Sequence, residues 1–432
     1  MFISIANLLK RFSELGAISV FCKPLAENDN SKQQIYLGGS FDVIQIFPFH
    51  DIEANENGKD STYKAKLDFF WISQTDKERA NGAQLILYPQ YPEVRLSGFL
   101  RGCTIAPNEL MRPVPSGKRK FNNGPDGRVL FFAVTKEREI LAHLAPAESL
   151  LASEFIQNSA EQEKNGVLYK LPLSTIDTKT TLLQALATIR DFGWQPSVKL
   201  NTKGEIKPYK AKNGGGYTLE ALLGIIPNGR SEPDFMGWEI KGYSRDRVTL
   251  MTPEPTGGIY GEYGVEVFVR KFGKISGEDT LYFTGLHKAE QRNNSTGLTL
   301  IVNGFNLQKK SIENVNGAVE LLTDSGECAA SWSFEGLLMK WNKKHAQAAY
   351  VPYKSNNAEP PAYLFSSPTL MGEGTNFNLY LTALSQGFVV FDPASKVMNA
   401  GTSHSSVKAR SQFRMAVKKL DNLYQKFESV EY

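Results

Sequence analysis

Three acidic residues and one lysine in the middle of the chain have the types and spacing for metal-assisted chemistry. They are Glu220, Asp234, Glu239 and Lys241. Alternation along a strand after a turn at Gly237 would place Glu239 and Lys241 on one face, with Asp234 folded back to the same edge. Two carboxylates about 4 Å apart, at an effective dielectric near 20, repel by roughly 4 kcal/mol, and a divalent cation relieves that repulsion.

The donor types favour magnesium. The carboxylates of Asp234 and Glu239 and the peptide carbonyl of Ile240 are hard oxygen ligands, which suit Mg²⁺ together with water. Such an ion would lower the pKa of a water and orient it toward a phosphodiester. Lys241 would add positive charge beside the attacked phosphate, but the adjacent carboxylates stabilise its charged form and argue against a free-amine base near neutral pH. Glu220 is the candidate fourth group, holding a water of the metal.

The same residues also have a purely structural interpretation. Asp234 would start a turn, while Glu239 and Lys241 would form an exposed strand edge. The spacing Asp-x4-Glu-x-Lys alone does not decide between the two interpretations, because three polar positions carry little information. Trp238 and Ile240 favour the functional one, since they would anchor the opposite strand face in a core.

The surrounding elements predict a mixed α/β or α+β second half. Glu220 falls in a short helix that begins after glycines, with Thr218 as its N-cap. Strand-like runs include residues 237–244 and 265–272. Helices are predicted near residues 217–225, 334–345, 375–386 and 408–427, after a helix whose apolar positions are Leu182, Leu183, Leu186 and Ile189.

The first part of the chain predicts a separate, mostly β domain, a barrel or pseudobarrel. Short apolar runs, among them residues 17–22, 41–49 and 128–134, are separated by turn residues. Residues 1–16 favour an amphipathic helix over a signal peptide. A chain of 432 residues favours two domains, and a polar stretch separates residues 1–170 from residues 178–432.

Composition excludes several classes of protein. The chain is 41% apolar and 22% charged with a net charge of +4, and no apolar run approaches the roughly 18 residues that cross a bilayer, so we expect a cytoplasmic protein. Cys22, Cys103 and Cys328 lie far apart, which argues against a disulfide framework and a four-ligand zinc site. The sequence has no HExxH and no GxxxxGK[ST] motif, which disfavours a metalloprotease, a kinase or an NTPase.

Basic residues form local clusters that are candidates for DNA contact. Those near the C-terminus would lie on a helix, where guanidinium groups could reach guanines or phosphates, or would simply be the solvated face of an amphipathic helix. Other clusters lie near residues 343 and 118. The candidate residues are His404, Lys408, Arg410, Arg414, Lys343, Lys344, Arg112, Lys118, Arg119 and Lys120.

These segments together resemble a known nuclease family. "GGGYTLEALLGI" and "PDFMGWEIKGYSR" are similar to the catalytic core of the PD-(D/E)xK nucleases, and specifically to the MvaI/BcnI restriction endonucleases, which share a GxTLExLLGI helix and an Asp-x4-Glu-x-Lys hairpin. "SWSFEGLLMKWNKKHAQAAYV" and "GFVVFDPASK…KARSQFRM" resemble the later helix and the DNA-reading region of that family. The resemblance covers about residues 178 to 432.

The resemblance implies a PD-(D/E)xK nuclease core and a type II restriction enzyme. We expect a monomer that uses Mg²⁺, with Mn²⁺ as a substitute, and cuts double-stranded DNA at a short sequence. A companion DNA methyltransferase in a restriction-modification system for phage defence is implied as well. The β-rich residues 1–170 resemble in arrangement the effector domain of type IIE enzymes such as EcoRII, which binds a second DNA copy.

Two alternatives remain open at this point. The chain could be a DNA-binding or regulatory protein with a vestigial nuclease core, although all four candidate positions are intact. It could also be a mismatch-nicking or junction-resolving nuclease, which would share the same metal core. For residues 1–170, the alternatives to an effector domain are a stabilising appendage and a surface for another protein.

Overall fold

The chain divides into two compact units. The computed structural model describes residues 2–39, 41–56, 61–91, 93–118, 124–173, 178–211, 214–226, 234–344, 347–356 and 358–432. Unit 1 is Met1–Thr175 and unit 2 is Ile176–Tyr432.

Unit 1 consists mainly of strands. Its elements are α1 (Ile5–Glu14), β1 (Ala17–Ala26), β2 (Ile35–Gly38), β3 (Ile52–Asn55), β4 (Thr62–Lys66), β5 (Phe69–Ile72), β6 (Lys77–Arg79), β7 (Gln84–Tyr88), β8 (Glu93–Ser97), β9 (Pro125–Thr135), β10 (Ile140–Ala145), α2 (Leu150–Asn158), β11 (Glu163–Asn165) and β12 (Leu168–Leu171). Short 3-10 helices cover Phe41–Gln45, Ser116–Lys118 and Ser159–Glu161. The predicted β-rich character is therefore confirmed.

The strands of unit 1 form two sheets. One has the order β11-β12-β1-β9-β10-β5-β6 and the other the order β2-β8-β7-β4-β3. The pairings among the described residues close neither sheet into a barrel, so the predicted barrel is not confirmed. The amphipathic helix predicted at the N-terminus is α1, which Ser4 caps by accepting a hydrogen bond from the Asn7 N–H and which buries Leu8 and Phe12.

One predicted strand of unit 1 is wrong. Residues 41–49 begin with a 3-10 helix at Phe41–Gln45. The buried positions in this run are Phe41, Val43, Ile44, Phe47 and Phe49, and the first four do not alternate. A spacing nearer to three than to two suits a helical turn better than a strand.

Unit 2 mixes strands and helices, as predicted. Its elements are α3 (Thr178–Asp191), β13 (Gln195–Pro196), β14 (Val198–Leu200), β15 (Ile206–Pro208), α4 (Gly214–Leu222), β16 (Glu239–Tyr243), β17 (Arg247–Met251), α5 (Gly258–Phe272), β18 (Lys274–Ile275), β19 (Thr280–Thr284), β20 (Thr299–Asn303), β21 (Phe305–Asn306), β22 (Ser311–Ile312), β23 (Ala318–Leu322), β24 (Cys328–Ser333), α6 (Phe334–Lys344), β25 (Gln347–Ser355), β26 (Ala362–Phe365), β27 (Thr369–Glu373), α7 (Phe377–Ser385), β28 (Val389–Phe391), β29 (Ala394–Met398), β30 (Ser406–Lys408), β31 (Phe413–Ala416) and β32 (Lys426–Val430), with a 3-10 helix at Val417–Leu423. The helices predicted near residues 334–345 and 375–386 are α6 and α7.

The central sheet of unit 2 has the order β13-β26-β25-β27-β32, and β16 joins β25 in parallel. In this register Glu239 lies beside Ala348, and Lys241 lies beside Tyr350. One face of the sheet packs against helices α3 and α4. That core contains Leu182, Leu186, Ile189, Leu219, Trp238, Ile240, Ala349, Val351, Tyr363, Phe365 and Met371.

The strand predicted at residues 265–272 is also wrong, because this segment belongs to helix α5. The helix is interrupted at Gly264, whose φ of 84° and ψ of 169° are not helical. Its valines alternate like those of a strand, but the buried residues Phe268 and Val269 are adjacent, and Phe268 packs on Phe283 at 4.5 Å between ring centroids. Tertiary packing has overridden the local β propensity.

Two further properties of the described residues are relevant to the expected class of protein. None of their helices is both long and apolar enough to cross a membrane. Cys22, Cys103 and Cys328 are all free thiols, the first two buried and the third half-buried.

Candidate active site

A two-residue turn places Asp234 beside the strand that follows it. Its flanking residues exchange backbone hydrogen bonds of 2.9 and 2.8 Å, and its central residues, Met236 and Gly237, have φ of 47° and 92°. Two positive φ values in succession are typical of a type I′ turn, which matches the twist of a hairpin. The turn brings Asp234 Oδ2 within 3.0 Å of the Ile240 N–H, which donates to it.

Strand β16 separates its apolar and charged side chains onto opposite faces. Trp238 and Ile240 belong to the core described above. On the other face Lys241 Nζ donates to Glu239 Oε1. Glu239 is only 1% exposed, whereas the Lys241 side chain is 23% exposed. These two residues are therefore not an exposed strand edge, because the carboxylate is buried and the lysine that pairs with it is mostly buried.

Two buried tyrosines lie on the same side of the sheet as this pair. The Tyr350 and Tyr424 hydroxyls are hydrogen-bonded at 2.7 Å. Burial raises the pKa of both phenols, and the charge of Glu239 acts in the same direction. Gly372 makes room for Tyr424, because a Cβ at residue 372 would overlap its ring. Glu239 thus lies beside two uncharged tyrosines that are held in place by packing.

Helix α4 brings Glu220 into the same electrostatic environment. Burial by itself would lower the pKa of Lys241, but the net shift is upward because Glu239, Asp234 and Glu220 all stabilise the ammonium form. Glu239 acts most strongly, through its charge and its hydrogen bond, and the other two act through their charges. The three sequence-predicted carboxylates therefore lie near enough to Lys241 for their charges to act on it.

The donor chemistry of this group fits a hard cation. Asp234 and Glu239 offer carboxylate oxygens, and the Ile240 carbonyl belongs to the residue whose N–H already binds Asp234. Oxygen donors of this kind suit Mg²⁺. Within the described residues no group of three or more histidine, cysteine, aspartate or glutamate side chains is close enough to hold a metal. Two carboxylates and one carbonyl form a smaller set of protein ligands, which Mg²⁺ commonly completes with water.

The glycines that begin α4 have a packing role. A Cβ at Gly214 would overlap Ser197 and Tyr363, and a Cβ at Gly215 would overlap the ring of Tyr353. The helix can approach the sheet closely only because these positions lack side chains. The helix predicted at residues 217–225 therefore exists but begins three residues earlier, at Gly214.

Thr218 is not the predicted N-cap. It lies inside α4, where its hydroxyl accepts a hydrogen bond from Val198 N at 3.1 Å and donates to Val198 O at 3.2 Å. The helix is thus fastened through Thr218 to strand β14.

The helix predicted at residues 408–427 is wrong. This segment forms β30, β31, a 3-10 helix and β32. Buried Ser411, Phe413 and Met415 alternate with more exposed residues, which is the period of a strand. Strand β31 lies between β17 and β28 in a small sheet.

The strand geometry changes the interpretation of the C-terminal basic residues. Arg414 Nη1 donates to Asp392 Oδ2 at 2.6 Å, so this guanidinium is part of an internal ion pair. Lys408 lies on β30 opposite Lys396. His404, Lys408 and Arg410 are exposed. Their predicted contact with DNA stays a prediction.

The other predicted basic residues are scattered. Arg112 is exposed and pairs with Glu109 at 2.6 Å, and Lys118 is exposed at the end of a 3-10 helix. Arg119 and Lys120 lie outside the described residues. Lys343 and Lys344 lie in the last turn of α6, but their side chains also lie outside the description.

Sequence reasoning missed a basic segment beside the candidate site. Strands β14 and β15 form a hairpin that packs on α4 and carries lysines on both strands. The available signal was the alternation of lysine and apolar residues in "VKLNTKGEIKPYK".

Comparison with known proteins places this geometry in a family. The sequence profile of the MvaI/BcnI restriction endonuclease family matches residues 183–424, a range that contains Glu220, Asp234, Glu239 and Lys241. Comparison with curated proteins gives no match.

Two solved structures are similar to part of the chain. "Restriction endonuclease MvaI-cognate DNA substrate complex" is 18% identical, with 59% of this chain and 99% of that chain covered at a TM-score of 0.45. "Restriction endonuclease MvaI in the absence of DNA" is 16% identical, with 60% of this chain and 99% of that chain covered at a TM-score of 0.34. Because the family profile itself spans more than half of the 432 residues, the chain belongs to the MvaI/BcnI restriction endonuclease family.

Proposed function

We propose that this protein is a Mg²⁺-dependent type II restriction endonuclease that hydrolyses phosphodiester bonds of double-stranded DNA at a short sequence. The observation that carries the proposal is the geometry of β16, where Lys241 pairs with buried Glu239 and Asp234 accepts from the Ile240 N–H, within the region that matches the family profile. Ion pairs that bury a carboxylate are seldom optimal for stability, because desolvation offsets most of their attraction. A functional role is the better explanation for this one.

Each residue has a distinct role in the proposed reaction. Asp234, Glu239 and the Ile240 carbonyl would hold Mg²⁺, which when bound supplies charge to activate a water and neutralise the departing oxygen. Lys241 remains an ammonium in its ion pair with Glu239, so it would place positive charge beside the attacked phosphate rather than act as a base. Glu220 would orient the attacking water.

The decisive variant is Asp234→Asn. It keeps an oxygen that can accept from the Ile240 N–H but removes the negative charge, so the local fold should survive while metal binding is lost. We expect cleavage of a plasmid of known sequence with Mg²⁺ to fall about 100-fold or more. Binding to the same DNA in EDTA should stay near the wild-type level. End mapping of the wild-type products would give the recognition sequence and the cut position.

Asp246→Asn provides the matched control. Asp246 is exposed just beyond the end of β16, so the same substitution there should leave cleavage unchanged. A wild-type protein that cuts no DNA with Mg²⁺ would favour the DNA-binding alternative with a vestigial core. Cleavage confined to mismatched or branched duplexes would favour the nicking or junction-resolving alternative.

The remaining expectations extend this proposal. Residues 1–170 lie outside the family match, and their role in binding a second DNA copy stays a prediction. The same holds for the use of Mn²⁺, the monomeric state and the companion methyltransferase.

A further inference from the structure

A basic hairpin borders the candidate active site. We define it as residues 198–210, which contain strands β14 and β15, four lysines and one glutamate. Lys199 is half-buried, and Lys203, Lys207 and Lys210 are exposed. All three residues of β15 are exposed.

The hairpin places two like charges opposite each other. Lys199 pairs directly with Lys207 across the two strands, so both side chains leave the same face. Such like-charged pairs destabilise a hairpin by a few tenths of a kcal/mol to about 1 kcal/mol. Glu205 contacts Lys207 at 3.1 Å, but both side chains are more than half exposed, so this ion pair offsets little. A phosphate group on this face would relieve the repulsion.

Two tyrosines connect the lysine face to Glu220. Tyr209 N donates to Ser197 O at 2.9 Å, which extends the ladder and puts Tyr209 on the face of Lys199. Lys199 Nζ lies 5.2 Å from the centre of the Tyr209 ring, which meets Tyr217 edge-on at 5.0 Å. Burial raises the pKa of Tyr217, and the charges of Tyr209 and Glu220 raise it further. The lysine face is thus connected through two tyrosine rings to helix α4, which also carries Glu220 one turn after Tyr217.

The hairpin is hydrogen-bonded to helix α4 at its base and approaches the residues after α4 at its tip. At its base the Thr218 hydroxyl bonds to both backbone groups of Val198. At its tip a Cβ on Gly204 would lie 3.3 Å from Ile226 Cδ1, so the tip rests on the residues that follow α4. Leu200 is buried beneath it. A surface held in this way can position a ligand with little ordering cost.

We propose that the basic hairpin binds the phosphate backbone of duplex DNA adjacent to the phosphate that is cut. The proposal rests on the proposed function, since it places the DNA at Glu220. Lysine ammonium groups on a fixed strand pair are suited to phosphates and carry no base-reading geometry, so the contact would be independent of sequence. It would set the register of the duplex over the catalytic residues.

Lysine footprinting on the wild-type protein tests the contact directly. The full chain is treated with an acetylating reagent in EDTA, with and without a mixed-sequence duplex, and modification is read by mass spectrometry. We expect Lys203, Lys207 and Lys210 to become several-fold less reactive with DNA, while Lys310 at the turn before β22 serves as the exposed reference. Equal reactivity of the hairpin lysines with and without DNA would overturn the proposal.

A charge variant gives a second, quantitative measurement. Lys199→Gln with Lys207→Gln removes the opposed pair, and the same two positions changed to Arg form the matched control with charge retained. The slope of log affinity against log salt concentration should fall by roughly 1.8 in the Gln variant, about 0.9 for each lost phosphate contact, and stay unchanged in the Arg variant. An unchanged slope in the Gln variant contradicts the proposal.

The two proposals fail in different ways. Both hairpin measurements are made in EDTA and need no cleavage. If DNA protects the hairpin lysines of a protein that never cuts DNA, only the nuclease proposal is contradicted. Cleavage with unprotected hairpin lysines would sink only the hairpin proposal. In the cleavage assay, the Gln variant should raise KM more than it lowers kcat, since the proposed contacts are with the DNA backbone.

Discussion

At the scale of single residues, the candidate site combines a buried carboxylate with a largely buried ammonium group. Glu239 lies behind Lys241, and the pair is flanked by Tyr350 and Tyr424. The sequence predicted the charged residues, because alternation along a strand is a local property. It did not predict the hydrogen-bonded tyrosine pair, since Tyr424 lies 74 residues from Tyr350 and only the fold brings them together.

The turn between Asp234 and Glu239 carries conformational strain. Met236 has φ of 47°, a region that favours glycine and asparagine, and it occupies the first central position of a type I′ turn. We expect Met236→Asn to raise the free energy of unfolding by roughly 1 kcal/mol. Urea unfolding of wild type and variant provides the measurement.

A second substitution controls for the side chain itself. Met236→Leu keeps an apolar residue with the same backbone penalty, so its stability should equal that of the wild type. No gain in the Asn variant would mean that surrounding contacts already compensate the strain of this turn.

At the scale of elements, helices with a clear apolar stripe could be predicted from the sequence. The prediction was wrong where a segment fits both the helical period and the strand period. Helices α6 and α7 follow their predicted ranges closely, and α3 contains the apolar positions predicted for it. The alternating valines of α5 led to the prediction of a strand, and the lysine-rich C-terminal segment that contains β31 led to the prediction of a helix. In both cases packing against distant strands decided the outcome, and a single sequence does not contain that information.

The start of α4 allows a paired test of why its glycines are needed. Gly215→Ala would drive a methyl group into the Tyr353 ring, and we expect it to lower the free energy of unfolding by about 1–3 kcal/mol. Among the described residues, an added Cβ at Gly216 would meet no atom within 4 Å beyond its chain neighbours and the backbone of α4, so Gly216→Ala should raise the free energy of unfolding by about 0.5–1 kcal/mol. Denaturant unfolding of the two variants should show opposite signs, and equal effects would contradict this packing account.

At the scale of the whole molecule, two domains could be predicted from length and from the change in composition, and the structure has two compact units. The basic hairpin escaped prediction because its lysines are separated by apolar and polar residues rather than clustered. Its significance appears only when the fold places Tyr209 against Tyr217 and so beside Glu220.

Each unit contains a buried histidine that links stability to pH. Burial lowers the pKa of His143 in unit 1 and of His287 in unit 2 to about 4, and it outweighs the backbone hydrogen bonds that act on each imidazole in the opposite direction. Because both folded values lie below the ordinary value of 6.5, the unfolded chain takes up these protons first. Stability should therefore be fully present above pH 6.5 and decrease as the pH falls toward 4, by about 1.4 kcal/mol per pH unit for each histidine.

Non-titrating variants isolate this effect from that of the carboxylates. Unfolding of wild type and of His143→Gln with His287→Gln should be compared at several values between pH 7.5 and 4. Whatever its absolute stability, the double variant should show the flatter profile. Parallel profiles would assign the acid sensitivity to other groups.

The alternation of Glu239 and Lys241 with Trp238 and Ile240 has a consequence for how the protein responds to heat. A backbone fluctuation that displaces the Glu239 carboxylate also moves Trp238 or Ile240 out of the core. Such a fluctuation therefore costs nearly as much free energy as opening the surrounding core. We therefore expect the candidate site to open together with the surrounding core. On warming it should keep its geometry until unit 2 melts and lose it in the same cooperative step.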